Sequence, residues 1–237
     1  MKNIKTWIVS IIIACFLASI SFGFASLLVA SVKTINTVNQ LIKRPSYDYL
    51  KSMTVRIIQK VDEGVFIGTG TIVKITDNYT YILTNGHVAP LDNKDRIFVV
   101  NEANIELKAE VISNSHLVDL SLIRVNGKIE NKTTIKGIGK ITYSEKGYSV
   151  GMYLGYDYIY TEGTFAGYDE DNNFVMNIPG AGGCSGSGVF NNKGELVAVI
   201  FAGNYIQYPY QVETAKLLCI NTSEVEMFLY LNEELMI

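Results

Sequence analysis

Cysteine, proline, histidine and basic charge are all scarce in this 237-residue chain. Its three cysteines, Cys15, Cys184 and Cys219, are too few and too widely spaced for a disulfide-dense scaffold, and none forms a CxxC metal pair. Two histidines, His87 and His116, exclude a multi-histidine metal centre, so neither a metal nor a cofactor is expected. Four prolines beside 20 glycines exclude collagen-like and proline-rich architectures. The net charge is -3 with no long basic run, so nucleic acid is not an expected partner. Charged residues make up 18% and hydrophobic residues 48%, too little charge for a disordered tail and too much for a polytopic membrane protein.

One segment stands apart. Trp7 to Val32 carries no charge over 26 residues. A helix of that length, at about 1.5 Å per residue, outspans a hydrocarbon core of roughly 30 Å. Lys2 and Lys5 precede it. Three readings compete. The first is an uncleaved signal-anchor helix that crosses the membrane. The second is a cleaved signal peptide, with small residues at Ala25-Ser26 and Ala30-Ser31, which would leave a secreted domain. The third is a lipoprotein signal, in which Ile12-Ile13-Ala14-Cys15 looks like a lipobox with Cys15 acylated. The anchor is preferred because the apolar run exceeds the roughly 7–15 residues of a cleaved signal and continues past Cys15. Lys2 and Lys5 are nearly balanced by Lys33, Lys43 and Arg44 across the span. The very short basic N-terminus favours placing the bulk of the chain on the non-cytoplasmic side. The expected organisation is a membrane segment at 1–32, a tether at 33–50 and a domain at 51–237.

The domain reads as all-β. Short runs rich in Val, Ile, Thr, Tyr and Phe alternate with Gly, Asn and Asp turns. They span Thr54–Val61, Val65–Ile75, Tyr79–Thr84, Arg96–Val100, Glu106–Ile112 and Leu120–Val125, then Gly147–Leu154, Tyr158–Tyr168, Phe174–Ile178, Gly188–Phe190, Leu196–Ala202 and Tyr208–Val212. Only Thr222–Leu235 has helical spacing, with Val225, Phe228, Leu229 and Leu235 on one stripe and Thr222 or Ser223 as a cap. Short strands followed by one helix predict a sandwich or a pair of barrels.

Three segments carry chemistry. Tyr81-Ile82-Leu83-Thr84-Asn85-Gly86-His87-Val88 ends an apolar strand on a histidine. His116-Leu117-Val118-Asp119-Leu120-Ser121-Leu122-Ile123 sets an aspartate at the start of another. Gly182-Gly183-Cys184-Ser185-Gly186-Ser187-Gly188 presents a serine in a glycine-dense turn. Singly, each has an ordinary structural reading: an exposed histidine, a turn aspartate, a flexible turn. Together they supply the parts of one mechanism. A serine hydroxyl is a weak nucleophile until a base takes its proton, and an imidazole can do so near neutral pH. A carboxylate fixes the imidazole tautomer. Glycines let backbone N–H groups converge on an oxyanion.

With these motifs the chain resembles the trypsin-like (chymotrypsin-fold) serine proteases, most of all the small bacterial branch that includes the HtrA/Deg and glutamyl-endopeptidase groups. The order His, Asp, Ser is that family's order. Thr84-Asn85-Gly86-His87-Val88 is similar to its T-x-x-H-V, and Asp119-Leu120-Ser121-Leu122-Ile123 to its D-[IL]-[AS]-[LV]-[LI]. Gly183-Cys184-Ser185-Gly186-Ser187-Gly188 is similar to G-[DN]-S-G-[GS]-[PG]. Gly68-Thr69-Gly70-Thr71-Ile72-Val73 and Gly194-Glu195-Leu196-Val197-Ala198-Val199 resemble the strands before the histidine and after the nucleophile. The likeness covers roughly residues 53 to 235.

The resemblance implies two six-stranded antiparallel β-barrels, at about 51–127 and 134–220, crossed by Asn126–Lys132 and followed by a helix at about 222–235. It implies a catalytic His87, Asp119 and Ser185, with the N–H groups of Gly183 and Ser185 as the oxyanion hole and a peptide or protein as substrate. Pro179 stands where trypsin-like enzymes carry a specificity-determining acid, and Phe201-Ala202-Gly203 forms the expected pocket wall. These four residues imply a preference for a small or apolar P1 side chain. Cys184 replaces the family's usual Asp or Asn, so activation by an ion pair with a new N-terminus is not expected. A Cys184 nucleophile is a competing reading, but the G-x-Nuc-G pattern fits Ser185. A Cys184–Cys219 disulfide is open if the domain is exported. The chain runs only about 50 residues past Ser185, so no PDZ domain is expected. A catalytically inactive, peptide- or protein-binding pseudoprotease is the alternative function. The sequence does not determine the oligomeric state.

Overall fold

The computed structural model describes residues 44–203, 206–207, 211–212 and 216–236. The Trp7–Val32 span and its competing readings lie outside them. No helix among the described residues is long and apolar enough to cross a membrane.

The first half of the domain is one antiparallel sheet. Its strands are β1 (Thr54–Val61), β2 (Gly64–Ile75), β3 (Tyr79–Asn85), β4 (Ile97–Val100), β5 (Glu106–Lys108), β6 (Glu110–Ser115) and β7 (Leu120–Asn126). Their order is β5-β4-β1-β2-β3-β7-β6. This differs from the expected closed six-stranded barrel. The run expected as a single strand, Glu106–Ile112, breaks at Ala109, whose N–H turns to the carbonyl of Ile97 at 3.0 Å. The part before the break pairs with β4 and the part after it with β7. The two edges of the sheet are therefore joined through one buried alanine instead of a hydrogen-bonded ladder.

The second half comprises β8 (Lys146–Tyr153), β9 (Tyr156–Tyr168), β10 (Phe174–Met176), β11 (Gly188–Phe190) and β12 (Leu196–Gly203). A separate two-stranded pair follows, β13 (Ile206–Gln207) with β14 (Gln211–Val212), and then β15 (Leu217–Ile220). Here six strands do close a barrel, in the order β10-β15-β12-β11-β8-β9. The sequence reading missed β15.

Continuous apolar runs on β3 and β7 have a simple cause. Side chains alternate between the two faces of a strand, and a strand buried on both faces carries no polar alternation. Ile82 and Ile123 point into a core with Val55, Ile57, Ile72 and Val99. Their neighbours Tyr81, Leu83, Leu120 and Leu122 point the other way, into a core shared with Val150, Phe190 and Leu196 of the second half. A third core fills the closed barrel around Phe165, Phe174, Val197 and Ile200. The shared core fixes the two halves against each other.

Two helices seal the domain. α1 (Tyr47–Ser52) is capped by Ser46, whose Oγ accepts from Tyr49 N–H at 3.2 Å. Its Leu50 is fully buried in the shared core. Residues 47–50 thus belong to the folded domain, although the sequence reading left them in the tether; an isolated Leu in a polar stretch carries no periodic signal. α2 (Thr222–Leu231) is capped by Asn221, which accepts from Glu224 N–H at 3.1 Å, and not by Thr222 or Ser223. Val225 and Phe228 are buried and Leu229 packs partly buried against the shared core, but Leu235 leaves the expected stripe. A 3₁₀ turn at Glu233–Met236 rotates Leu235 outward and buries Met236.

Cys184 and Cys219 are both buried in the barrel core as free thiols, so the disulfide considered from sequence is not formed.

Candidate active site

β3 ends at Asn85, and the chain turns through Gly86, His87 and Val88. That turn is sewn to the segment between β6 and β7, where Asp119 sits. The Asp119 carbonyl accepts from Gly86 N–H at 2.9 Å and from Asn85 Nδ2 at 3.1 Å. Asn114 on β6 donates to the carbonyls of Gly86 and Ala89 at 3.2 and 3.1 Å. Ser121 Oγ donates to Ala89 O at 3.0 Å. These bonds bring together two segments 25 to 34 residues apart and leave the side chains of His87 and Asp119 facing each other. Asp119 Oδ2 lies 2.7 Å from His87 Nδ1, and Oδ1 accepts from His87 N–H at 2.9 Å. A carboxylate at Nδ1 favours the tautomer that protonates this nitrogen and leaves Nε2 as an acceptor. His87 remains half exposed at 50%, Asp119 less so at 30%. Asp119 has φ +51°, a left-handed conformation in which Asp is among the better-tolerated side chains.

Ser185 lies in the turn between β10 and β11. Cys184 N–H bonds to Ala181 O at 3.1 Å, and Ser187 N–H to Cys184 O at 3.0 Å. Gly186 N–H reaches Ile200 O on β12 at 2.8 Å. Two positions need glycine. Gly183 has φ +100°, and Gly186 has φ +86° with the Thr69 carbonyl where a Cβ would stand. The carbonyl of Gly182 accepts from Leu154 N–H at 2.8 Å. Among the described residues, the N–H groups of Gly183 and Ser185 have no hydrogen-bond acceptor. Ser185 Oγ donates to Phe201 O at 3.4 Å.

His87 and Ser185 open onto one cleft of about 260 Å³, with Gln59, Phe66, Ile67, Gly68 and Val88 as its other walls. The cleft belongs to both halves of the domain. Of the residues read from sequence as a specificity pocket, Phe201 touches Ser185 through its carbonyl, and Ala202 and Gly203 follow it half-buried on β12. None of these three is among the cleft walls, and neither is Pro179, which is exposed. Cys184 is 6% exposed. Burial pushes its thiol above the ordinary range, which disfavours the reactive thiolate. His116 is exposed in the turn before Asp119. Among the described residues no three His, Cys, Asp or Glu side chains gather as a metal site would require.

The sequence reading named neither Asn114 nor the cleft walls Gln59, Phe66 and Ile67. In the structure Val65, Phe66 and Ile67 on β2 are exposed large apolar side chains, whereas in the sequence they are an apolar run like that of any strand.

Residues 68–199 match the trypsin-like peptidase domain family. Over 192 residues the chain is 26% identical to the serine protease HtrA-like of Staphylococcus haemolyticus, covering 72% of this chain and 30% of that protein. It is 29% identical over 147 residues to the "probable periplasmic serine endoprotease DegP-like" of Pseudomonas fluorescens, covering 58% and 29%. The chain therefore spans about a third of the length of these relatives. In fold it is similar to the serine endoprotease of Yersinia pestis, with a TM-score of 0.63 at 20% identity over 81% of this chain and 67% of that one. An HtrA-type protease solved with a tripeptide aligns with a TM-score of 0.65 at 15% identity, over 79% and 63%.

Proposed function

The chain belongs to the trypsin-like peptidase domain family, and on that premise we propose that it is a serine endopeptidase that hydrolyses peptide bonds through an acyl-enzyme intermediate. One observation carries the reading: Asp119 Oδ2 is 2.7 Å from His87 Nδ1, and His87 shares its cleft with Ser185.

In this reading Ser185 Oγ turns from Phe201 O toward His87 and attacks the substrate carbonyl as His87 takes its proton. Asp119 holds the ring and stabilises the imidazolium. The free N–H groups of Gly183 and Ser185 receive the oxyanion. His87 then gives its proton to the leaving amine. Water repeats the cycle on the acyl-enzyme and releases Ser185. Neither metal nor cofactor enters the chemistry. Phe201, Ala202 and Gly203, which run along β12 from the Ser185 contact, form one wall of the P1 site and favour small or apolar side chains; the exposed Pro179 takes no part in it.

The proposal extends to placement. Trp7–Val32 acts as a membrane anchor, and the domain works on the non-cytoplasmic side on peptides or proteins that reach the membrane surface. The uncharged length of that segment supports this.

A fluorophosphonate probe, which reacts only with an activated serine, tests the chemistry. The wild type should label, and Ser185→Ala should neither label nor cleave a peptide library, with a loss on the order of 10⁴ or more. A wild-type chain that binds peptides yet never labels would instead mark a pseudoprotease. Alkaline carbonate extraction tests the anchor: a full-length chain that washes off the membrane would refute it.

A further inference from the structure

We propose that Thr69 is a positioning residue for this site: it locks the serine turn so that the N–H groups of Gly183 and Ser185 stay directed at the oxyanion. The inference rests on the function proposed above.

Thr69 lies on β2, in the first half of the domain, and is completely buried. It makes four hydrogen bonds that all bear on the site. Its Oγ1 donates to Gly183 O at 2.8 Å and accepts from Met152 N–H at 3.0 Å. Its backbone N–H donates to Ser185 O at 2.8 Å. Its carbonyl accepts from Thr84 Oγ1 at 2.7 Å.

The consequence follows from peptide geometry. A trans peptide is planar, so holding the carbonyl of one residue also aims the N–H of the next. The four carbonyls from Gly182 to Ser185 are held by Leu154 N–H, Thr69 Oγ1, Ser187 N–H and Thr69 N–H. Thr69 thus holds two of the four, on the planes that carry the N–H groups of Cys184 and Gly186; these alternate with the planes that carry Gly183 N–H and Ser185 N–H, so Thr69 fixes the oxyanion donors by fixing the planes next to theirs. The bond to Gly183 O matters most, because it fixes the plane that lies between the two bearing the oxyanion donors, beside Gly183, which has φ +100° and no side chain to restrict its rotation. The N–H groups of Cys184 and Gly186 are used within the fold, and those of Gly183 and Ser185 are left free. Through Thr84, three residues before His87 on β3, the same residue ties the serine turn to the histidine strand. Thr69 and Gly183 are 114 residues apart in sequence. A hydroxyl is well suited here, since it donates to one group and accepts from another at once.

The test compares Thr69→Val, which keeps the shape and removes the hydroxyl, with Thr69→Ser, which keeps the hydroxyl. Peptide hydrolysis, fluorophosphonate labelling and thermal unfolding are measured on full-length chains. A single lost oxyanion donor lowers kcat by roughly 10²–10³, so a loosened pair should cost about 10- to 100-fold in kcat, with KM changed less than about threefold. Labelling should slow by a similar factor, because the phosphonyl oxygen occupies the same hole. The acidic limb of the pH–rate profile should not move, because Thr69 does not touch His87 or Asp119. Thr69→Ser should stay within about threefold of wild type in kcat.

Full kcat in Thr69→Val, with an active wild type, overturns this inference and leaves the proposed function standing. An equal loss in Thr69→Ser also overturns it, since the methyl and not the hydroxyl would then matter. So does a Thr69→Val chain that cannot fold beside a folded, active Thr69→Ser, which would make the hydroxyl a structural group. If the wild type neither cleaves nor labels, the proposed function itself fails and Thr69 has nothing to position.

Discussion

Asp119 grips His87 at two points. One carboxylate oxygen accepts the His87 backbone N–H at 2.9 Å, and the other meets Nδ1 at 2.7 Å. A single contact at the ring would leave the imidazole free to swing about its Cα–Cβ bond. The second contact ties the carboxylate to the backbone from which the ring hangs, so ring and carboxylate share one reference. Asp119 makes this double contact from a left-handed backbone conformation, φ +51°.

Asp119→Asn should therefore separate geometry from chemistry. Asn tolerates the left-handed conformation, and its carbonyl oxygen can still accept the His87 N–H. Its amide would face Nδ1 and favour the wrong tautomer. We expect a folded protein with kcat lower by roughly 10³–10⁴. Unchanged kcat would remove Asp119 from the mechanism.

Gly186→Ala should fail for a backbone reason. With φ +86° and the Thr69 carbonyl and Thr84 Oγ1 in the way, a methyl group has no room. Displacing the turn would cost activity, and stability by about 1–3 kcal/mol from strain alone. A near-normal melting temperature together with normal labelling by a fluorophosphonate would contradict this.

Cys184→Ala should keep peptidase activity within a few-fold of wild type. The Cys184 thiol is buried and its pKa raised by that burial, so at neutral pH it is protonated and shielded. Iodoacetamide should react with folded Cys15→Ser protein far more slowly than with the same chain in denaturant. Fast alkylation coupled to loss of hydrolysis would return Cys184 to contention as the nucleophile.

Glu102 should make stability pH-dependent. It accepts from Lys132 Nζ, whose side chain is 0% exposed, at 2.9 Å, and pairs with Lys51 at 2.9 Å. The Lys132 hydrogen bond is the largest influence holding the Glu102 carboxyl below the ordinary range, while burial pushes the Lys132 ammonium down. A depressed carboxyl pKa stabilises the fold above the ordinary value of 4.5, and that contribution is lost as pH falls through the lower folded value. Glu102→Gln leaves a shielded ammonium without its counter-charge and should cost about 1–3 kcal/mol at neutral pH, less than a fully buried pair because Glu102 is partly exposed. Melting curves from pH 7 to 3 should show a shallower acid decline in Glu102→Gln than in wild type. Parallel declines would mean that the pair does not couple to folding.

The proposed catalytic residue types and their order in the chain were legible because each sits at the end of an apolar strand or within a glycine turn. Such patterns are local and survive without a structure. Strand periodicity likewise announced most of the sheets, since Val, Ile and Thr runs bounded by Gly and Asn are set by steric preference within a few residues. The break at Ala109 was not legible, because one residue cannot show which neighbour its N–H will choose. Neither was α1, whose place depends on Leu50 finding the core shared by the two halves.

By itself, then, the sequence determined an all-β domain, its family and the candidate residues for its chemistry. Only the tertiary structure decided that the two edges of the first sheet meet at Ala109 without a ladder, that Cys184 and Cys219 remain thiols, that Asp119 reaches His87 at two points, and that Thr69 clasps the turn around Ser185. The physical reason is the range of the interactions. Propensity and turn chemistry act over a few residues, whereas these bonds join groups from 12 (Ala109 to Ile97) to 116 (Thr69 to Ser185) residues apart. Their partners are chosen by packing, and no pattern along the chain records packing.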